Sequence, residues 1–241
     1  MTAVVISQPM YFPWVGFMAQ MALADILIWL DDAQFSKGSF TNRVQVRNHQ
    51  ATKWMTIPLV RSVSFPRIMD LGLPGEATFL SHRSLLAQSL RSRPYRQQAL
   101  RVFDEAMSSD RVVCRLIASA EIPADRWGLL PATRLRASTM GIEGTSWSRV
   151  LSLVKAVGGT RYITGHGAAA YLCHEAFEAA SIQVEYMRYD PVPWDQCDDS
   201  FTPFVANLDL FASVDPCLAL GHLRPSTIPW RDHLRSLKCH Q

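Results

Sequence analysis

The sequence predicts an α/β fold, with a parallel or mixed sheet, helices on its faces and a helical middle segment. Two stretches of βαβ size, one near each end of the chain, carry that expectation. A run of helical pattern interrupted by prolines separates them.

The first unit opens on Ala3-Val-Val-Ile-Ser7, an apolar, β-branched run that predicts a buried strand. Gln8–Gly16 holds two prolines and a glycine and predicts a loop. Phe17–Ala24 has good helix formers and no breaker. Ile26–Leu30 predicts a second buried strand, closed by Asp31-Asp32. Arg43–Arg47 and Trp54–Leu59 alternate and predict paired strands around a turn at Asn48–Ala51, and Leu59–Gly75 is expected to be irregular. Helical pattern fills Thr78–Met107 and recurs through Ser138, with Pro94, Pro123 and Pro131 expected to break it. Ser146–Val157 predicts an amphipathic helix with Ser146 as N-cap, ended by Gly158-Gly159. Tyr162–Thr164, a turn at Gly165–Gly167, a helix over Ala168–Ala180 and a strand over Gln183–Tyr189 complete the second unit. These elements predict a single domain over residues 1–222, with a helical insertion at about residues 78–145 and a C-terminal appendage at 223–241.

Composition removes several function classes. The 241 residues are 48% hydrophobic and 19% charged, enough to bury a core without disulfides or metal. A net charge of +3 gives no basic face for sequence-specific nucleic acid. The densest basic run, Arg91–Arg96, is expected to be a solvated helix end. The N-terminus lacks the pattern of a signal peptide, and no run reaches the ~18 apolar residues of a membrane helix. The cysteines at 114, 173, 197, 217 and 239 form no CxxC pair and predict reduced thiols in a cytoplasmic protein.

Four places carry candidate chemistry. Gln8-Pro-Met-Tyr-Phe-Pro-Trp-Val-Gly16 sets aromatics between prolines ahead of a helix, which suits a planar or anionic ligand through Gln8, Tyr11 and Trp14. The same pattern equally fits a strand-to-helix connection whose aromatics pack in the core. Asp31, Asp32 and Gln34 put polar groups at the mouth of the sheet as a base, binder or ligand set, or simply mark the strand's end. Asn42-Arg43 offers a bidentate phosphate or carboxylate contact, or an ion pair with Asp31 or Asp32. Gly165-His166-Gly167 exposes an imidazole between glycines that let a ligand approach the backbone, a weak phosphate-cradle signal, though a turn histidine is more often structural. Both punctuated loops follow strands, so they are expected to share the carboxyl edge of the sheet, where ligands sit in such folds. No HxH, HExxH, GxSxG or GxGxxG pattern occurs, and Cys173 and His174 diverge on one helix, so no metal or cofactor is called for.

One family resembles this chain. Ile6-Ser-Gln-Pro-Met-Tyr-Phe-Pro-Trp-Val-Gly-Phe17, Ala24-Asp25, Leu30-Asp-Asp-Ala-Gln-Phe35, Phe40-Thr-Asn-Arg43 and Trp54-Met-Thr-Ile-Pro58 are similar to the signature of WbqC-like proteins. Tyr162-Ile-Thr-Gly165, Ala170-Tyr-Leu172, Trp194-Asp-Gln196, Phe201-Thr-Pro203 and Asn207-Leu-Asp209 follow in the matching order. Val44 and Trp194 depart from the usual pattern, and Leu80–Gly144 carries little of it. The opening strand, loop, helix and strand are also similar to nucleotidylyltransferases, without the paired histidines of their loop. Together these resemblances imply a sheet of Rossmann-like or nucleotidylyltransferase-like type.

The family resemblance implies a bacterial biosynthetic step in surface-polysaccharide or specialised-metabolite pathways. The expected reaction is acyl or aminoacyl transfer to an amine, forming an amide. Asp31, Asp32 or His166 would take the proton. Gln8, Tyr11, Trp14, Gln34, Asn42, Arg43, Gly165, Gly167, Tyr171 and Gln196 would bind substrate. The amine would be a small molecule or a nucleotide sugar, and the donor a carrier-protein thioester or a charged tRNA. An ATP-using nucleotidyltransferase or ligase, and a non-catalytic ligand-binding scaffold, are the alternatives.

Overall fold

A computed structural model describes residues 1–48, 51–60, 63–197 and 200–238. The turn at 49–50 and Cys239 lie outside the described residues; Cys114, Cys173, Cys197 and Cys217 are free thiols.

The first unit forms β1 (Ala3–Ser7), α1 (Val15–Met21) and β2 (Ile26–Trp29). A hairpin of β3 (Arg43–Asn48) and β4 (Ala51–Thr56) follows as a separate two-stranded sheet. Three helices make the middle: α2 (Glu76–Ser89), α3 (Arg96–Ala106) and α4 (Val112–Arg126). The chain then returns to the sheet with β5 (Thr133–Arg136), α5 (Ser146–Ala156), β6 (Arg161–Thr164), α6 (His174–Ala179) and β7 (Gln183–Arg188). It closes with α7 (Asn207–Ser213), α8 (Ala219–Leu223), β8 (Ser226–Pro229) and α9 (Trp230–Lys238).

The main sheet runs β5-β2-β1-β6-β7-β8, parallel except for β8. β1 and β2 are nearly continuous apolar runs because both faces are covered, whereas β6 and β7 carry polar residues among their apolar ones. Side-chain alternation divides them. Val5, Leu27, Trp29, Ile163 and Met187 join the core under α1, the middle helices and α7. Val4, Ile6, Ile28, Tyr162, Val184 and Tyr186 face a second core under α5 and α6. The order is of Rossmann-like type: from β1 the chain fills one side with β2 and β5, then crosses to β6 on the other. The switch point therefore lies between β1 and β6.

Several sequence expectations need correction. Residues 133–136 form an edge strand and not a continuation of the helices. Thr-Arg-Leu-Arg has no apolar run to announce it, because only one neighbour covers it. Ser146 is not the N-cap; Thr145 precedes the helix, and Ser146 stands at φ 53°. Ala168–Ala180 is not one helix but a 3-10 turn over His166–Ala170 followed by the separate α6. Ser226–Pro229, in the tail expected to be an appendage, pairs antiparallel with β7.

Pro123 does not break the chain either; it sits inside α4. Its missing N–H frees the carbonyl of Ser119, one turn earlier. The Asn207 side-chain amide donates to that carbonyl at 3.0 Å. The proline thus creates an acceptor that ties α4 to α7.

Candidate functional site

The loop after β1 is held open by a backbone inversion. Phe12 stands at φ 42°, a conformation costly for a bulky residue. Its N–H donates to Ser119 Oγ at 2.9 Å, and its ring stacks on Phe103 with centroids 5.3 Å apart. Tyr11 turns inward too, fully buried, its hydroxyl 3.0 Å from His82 Nδ1. Trp14 turns the other way, between Tyr189 at 4.8 Å and Phe204 at 5.2 Å. Gly16 serves this fold-back: a Cβ there would lie 2.3 Å from the Trp14 ring. Its lack of a side chain makes room for Trp14, not for a ligand.

At the switch point, β1 and β6 run side by side with Val5 opposite Ile163. Half-exposed Gln8 leaves the end of β1, and Gly165 and His166 leave β6 beside it. A Cβ on Gly165 would stand 2.9 Å from Tyr189 Oη, so the glycine admits that hydroxyl to the crevice. Burial pushes the Tyr189 phenol up to about 12. His166 is exposed, its ring 4.9 Å from that of Tyr189 and 4.7 Å from that of His233. Its Nε2 lies 2.8 Å from the Met187 carbonyl. A carbonyl only accepts, so Nε2 carries the proton and a neutral ring keeps its lone pair on Nδ1. Gly167 is exposed, with open space where a Cβ would stand.

The loop also bounds an apolar cavity of about 230 Å³. Its walls are Met10, Tyr11, Pro13 and Trp14, with Phe40, Val44 and Gln45 from the hairpin side and Phe204 opposite. Backbone bonds lace these segments: Tyr11 N to Phe40 O at 2.9 Å, Ala206 N to Gln45 O at 2.9 Å, and Asn207 N to Pro13 O at 3.1 Å. Trp14 is common to the cavity wall and to the crevice.

The acidic candidates stand elsewhere along the same edge, beyond β2. Asp31 is 1% exposed and accepts from Ser138 N at 3.0 Å and Ser138 Oγ at 2.7 Å. Asp32 takes two hydrogen bonds from Arg149, one of them 3.0 Å long. Gln34 is exposed and bridges by its backbone to Arg67. Arg43 pairs with neither aspartate; its guanidinium lies over Trp54 at 4.2 Å. Asn42 is buried, its amide donating to Ile57 O at 3.0 Å. Tyr171 is 44% exposed beyond the 3-10 turn. The Gly165–Gly167 segment does not lead into a helix N-terminus; Ala168 N donates back to Gly165 O at 3.1 Å. The phosphate-cradle reading loses its helix there.

Gln196 belongs to a buried network away from the crevice. Its amide donates to Asp209 Oδ1 at 3.0 Å, beside Trp194 Nε1 at 2.7 Å. Arg93 lies 3.5 Å from the other carboxylate oxygen and donates to the carbonyls of Asp195, at 2.6 Å, and Gln196. Burial raises the Asp209 carboxyl, and the nearby Arg93 charge opposes that shift.

Sequence reasoning missed Tyr189, Phe204, Gln45 and Ser119. The only local signals were an aromatic closing β7 and another just after Pro203.

Three histidines make stability sensitive to acid. Burial pushes His82 down to about 4 and also lowers His174 and His233. The unfolded chain protonates them near 6.5 and so binds more protons between that value and the folded ones. Their contribution is complete above about pH 6.5 and is lost as pH falls toward about 4, up to about 3 kcal/mol for His82. Urea midpoints are expected to drop across this window, and His82→Gln is expected to flatten the drop. An unchanged midpoint would show that these rings are not buried neutral.

Among the described residues, no group of three or more His, Cys, Asp or Glu could hold a metal ion, and no helix is long and apolar enough to cross a membrane. A model of the WbqC-like protein family matches residues 8–217. The chain is 26% identical over 218 residues to the uncharacterized protein Rv1507c of Mycobacterium tuberculosis (strain ATCC 25618 / H37Rv), covering 89% of this chain and 94% of that protein. No solved structure gives a significant match.

Proposed function

The chain belongs to the WbqC-like protein family, and from that premise we propose that it is a cytoplasmic biosynthetic transferase joining an acyl or aminoacyl group to an amine. The observation that carries this reading is His166, exposed at the switch point with Nε2 committed to the Met187 carbonyl. Its Nδ1 is then the base of a ring held against Tyr189, which in turn packs on Trp14.

In the proposed step the amine nitrogen attacks the donor carbonyl. The C–N bond forms, the C–S bond of a thioester or C–O bond of an aminoacyl ester breaks, and the amine proton passes to His166 Nδ1. The leaving thiolate or alkoxide takes a proton in turn. Gln8 and the Tyr189 hydroxyl would orient the reactants. Asp31 and Asp32 would serve the site indirectly, since Ser138 and Arg149 already occupy their oxygens. The acceptor would be an amino sugar or another small amine.

The test is incubation of the purified protein with acyl-carrier thioesters or charged tRNA and a panel of amines and nucleotide-linked amino sugars, read by mass spectrometry. The expected result is a product heavier by the acyl group, together with the free thiol or tRNA. Adenylylated product formed only with ATP and Mg²⁺ would replace the reading with the nucleotidyl one. Binding of panel members without any product would favour a scaffold.

A further inference from the structure

We infer that the cavity beside Trp14 holds the apolar acyl portion of a thioester donor, either a single ring or a chain of about six to nine carbon atoms. This rests on the transfer reading above and names the donor half of its substrate.

Size sets the class. An apolar cavity of about 150 Å³ accepts benzene, and this one measures about 230 Å³. None of its walls is charged, so a phosphate or an amino sugar finds no partner there, while Gln45 offers one amide to a carbonyl or hydroxyl. The cavity is also built in advance. Three main-chain hydrogen bonds fix the loop, the hairpin side and the Phe204 segment against one another. The backbone of all three walls is therefore fixed. Phe40 and Phe204 remain 55% and 62% exposed at its rim, apolar surface that an acyl group would cover.

Position links the cavity to the chemistry. Trp14 is one wall, and Tyr189 lies against Trp14 at 4.8 Å. His166 lies against Tyr189 at 4.9 Å. An acyl group seated in the cavity lies against Trp14, the first of this row of rings, with Tyr189 and then His166 beyond it.

Calorimetric titration of the full chain with N-acetylcysteamine thioesters, from acetyl to dodecanoyl and including benzoyl, tests this without turnover. Affinity is expected to rise about fourfold per methylene and to level off at about nine carbons. Phe204→Ala, at an exposed position, should shrink the gain in affinity from acetyl to octanoyl. Val44→Phe, which fills the space, should abolish the chain-length dependence. Affinity independent of chain length, or a dependence that survives both substitutions, would overturn the inference. Chain-length-dependent binding with no amide formed would keep the cavity assignment and remove the transfer reading; amide formation with equal affinity for every chain would do the reverse.

Discussion

His166→Ala is expected to slow amide formation by about 10²- to 10⁴-fold, the range for loss of a positioned general base. The ring is exposed and makes one hydrogen bond, to the Met187 carbonyl, so the variant should fold with a urea midpoint near that of the parent. Donor affinity should also hold, because the cavity lies on the other side of Trp14. The signature is thus a fall in kcat with little change in KM. Asp31→Asn should behave in the opposite way. It weakens the bonds that tie β2 to Ser138, and its effect is expected in stability before rate. Parent-like turnover of His166→Ala would end the assignment of that residue as the base.

The second large effect concerns stability. Arg93→Ala is expected to cost about 3–5 kcal/mol, because it takes from a buried carboxylate its paired guanidinium, with Arg47 the other positive charge acting on it. The side chains of Arg93 and Asp209 are 2% and 4% exposed. The substitution also deprives the carbonyls of Asp195 and Gln196 of their charged donor. Pairing it with Asp209→Leu should restore part of the loss by removing the stranded charge, while Trp194 Nε1 and the Gln196 amide lose their acceptor. Urea unfolding of the two single variants and the double variant gives the coupling directly. Additive losses would show that Arg93 and Asp209 do not act as a pair.

The strands were legible where both sheet faces are covered. Ala3–Ile6 and Ile26–Trp29 are apolar throughout, because both sheet faces are covered there. Thr133–Arg136 and Ser226–Pro229 sit at the sheet's edges and carry no such run, so their sequences hide them. The site was half legible for a related reason. Prolines and glycines mark where a loop must turn, and they pointed to Gln8–Trp14 and Gly165–Gly167. Tyr189 and Phe204 reach the same place by tertiary approach, which no local pattern encodes. The partners of the aspartates were hidden in the same way. Asp31-Asp32 looked unpartnered because Ser138 and Arg149 lie 107 and 117 residues further on.

The central claim is that the working site is the β1–β6 crevice with its adjoining cavity, and amide hydrogen exchange locates it most directly. The exchange would be compared with and without saturating octanoyl-N-acetylcysteamine. The account predicts new protection concentrated in residues 10–14, 40–45, 165–167, 189 and 204. Protection centred instead on residues 31–34 and 138–149, with the crevice unchanged, would contradict it.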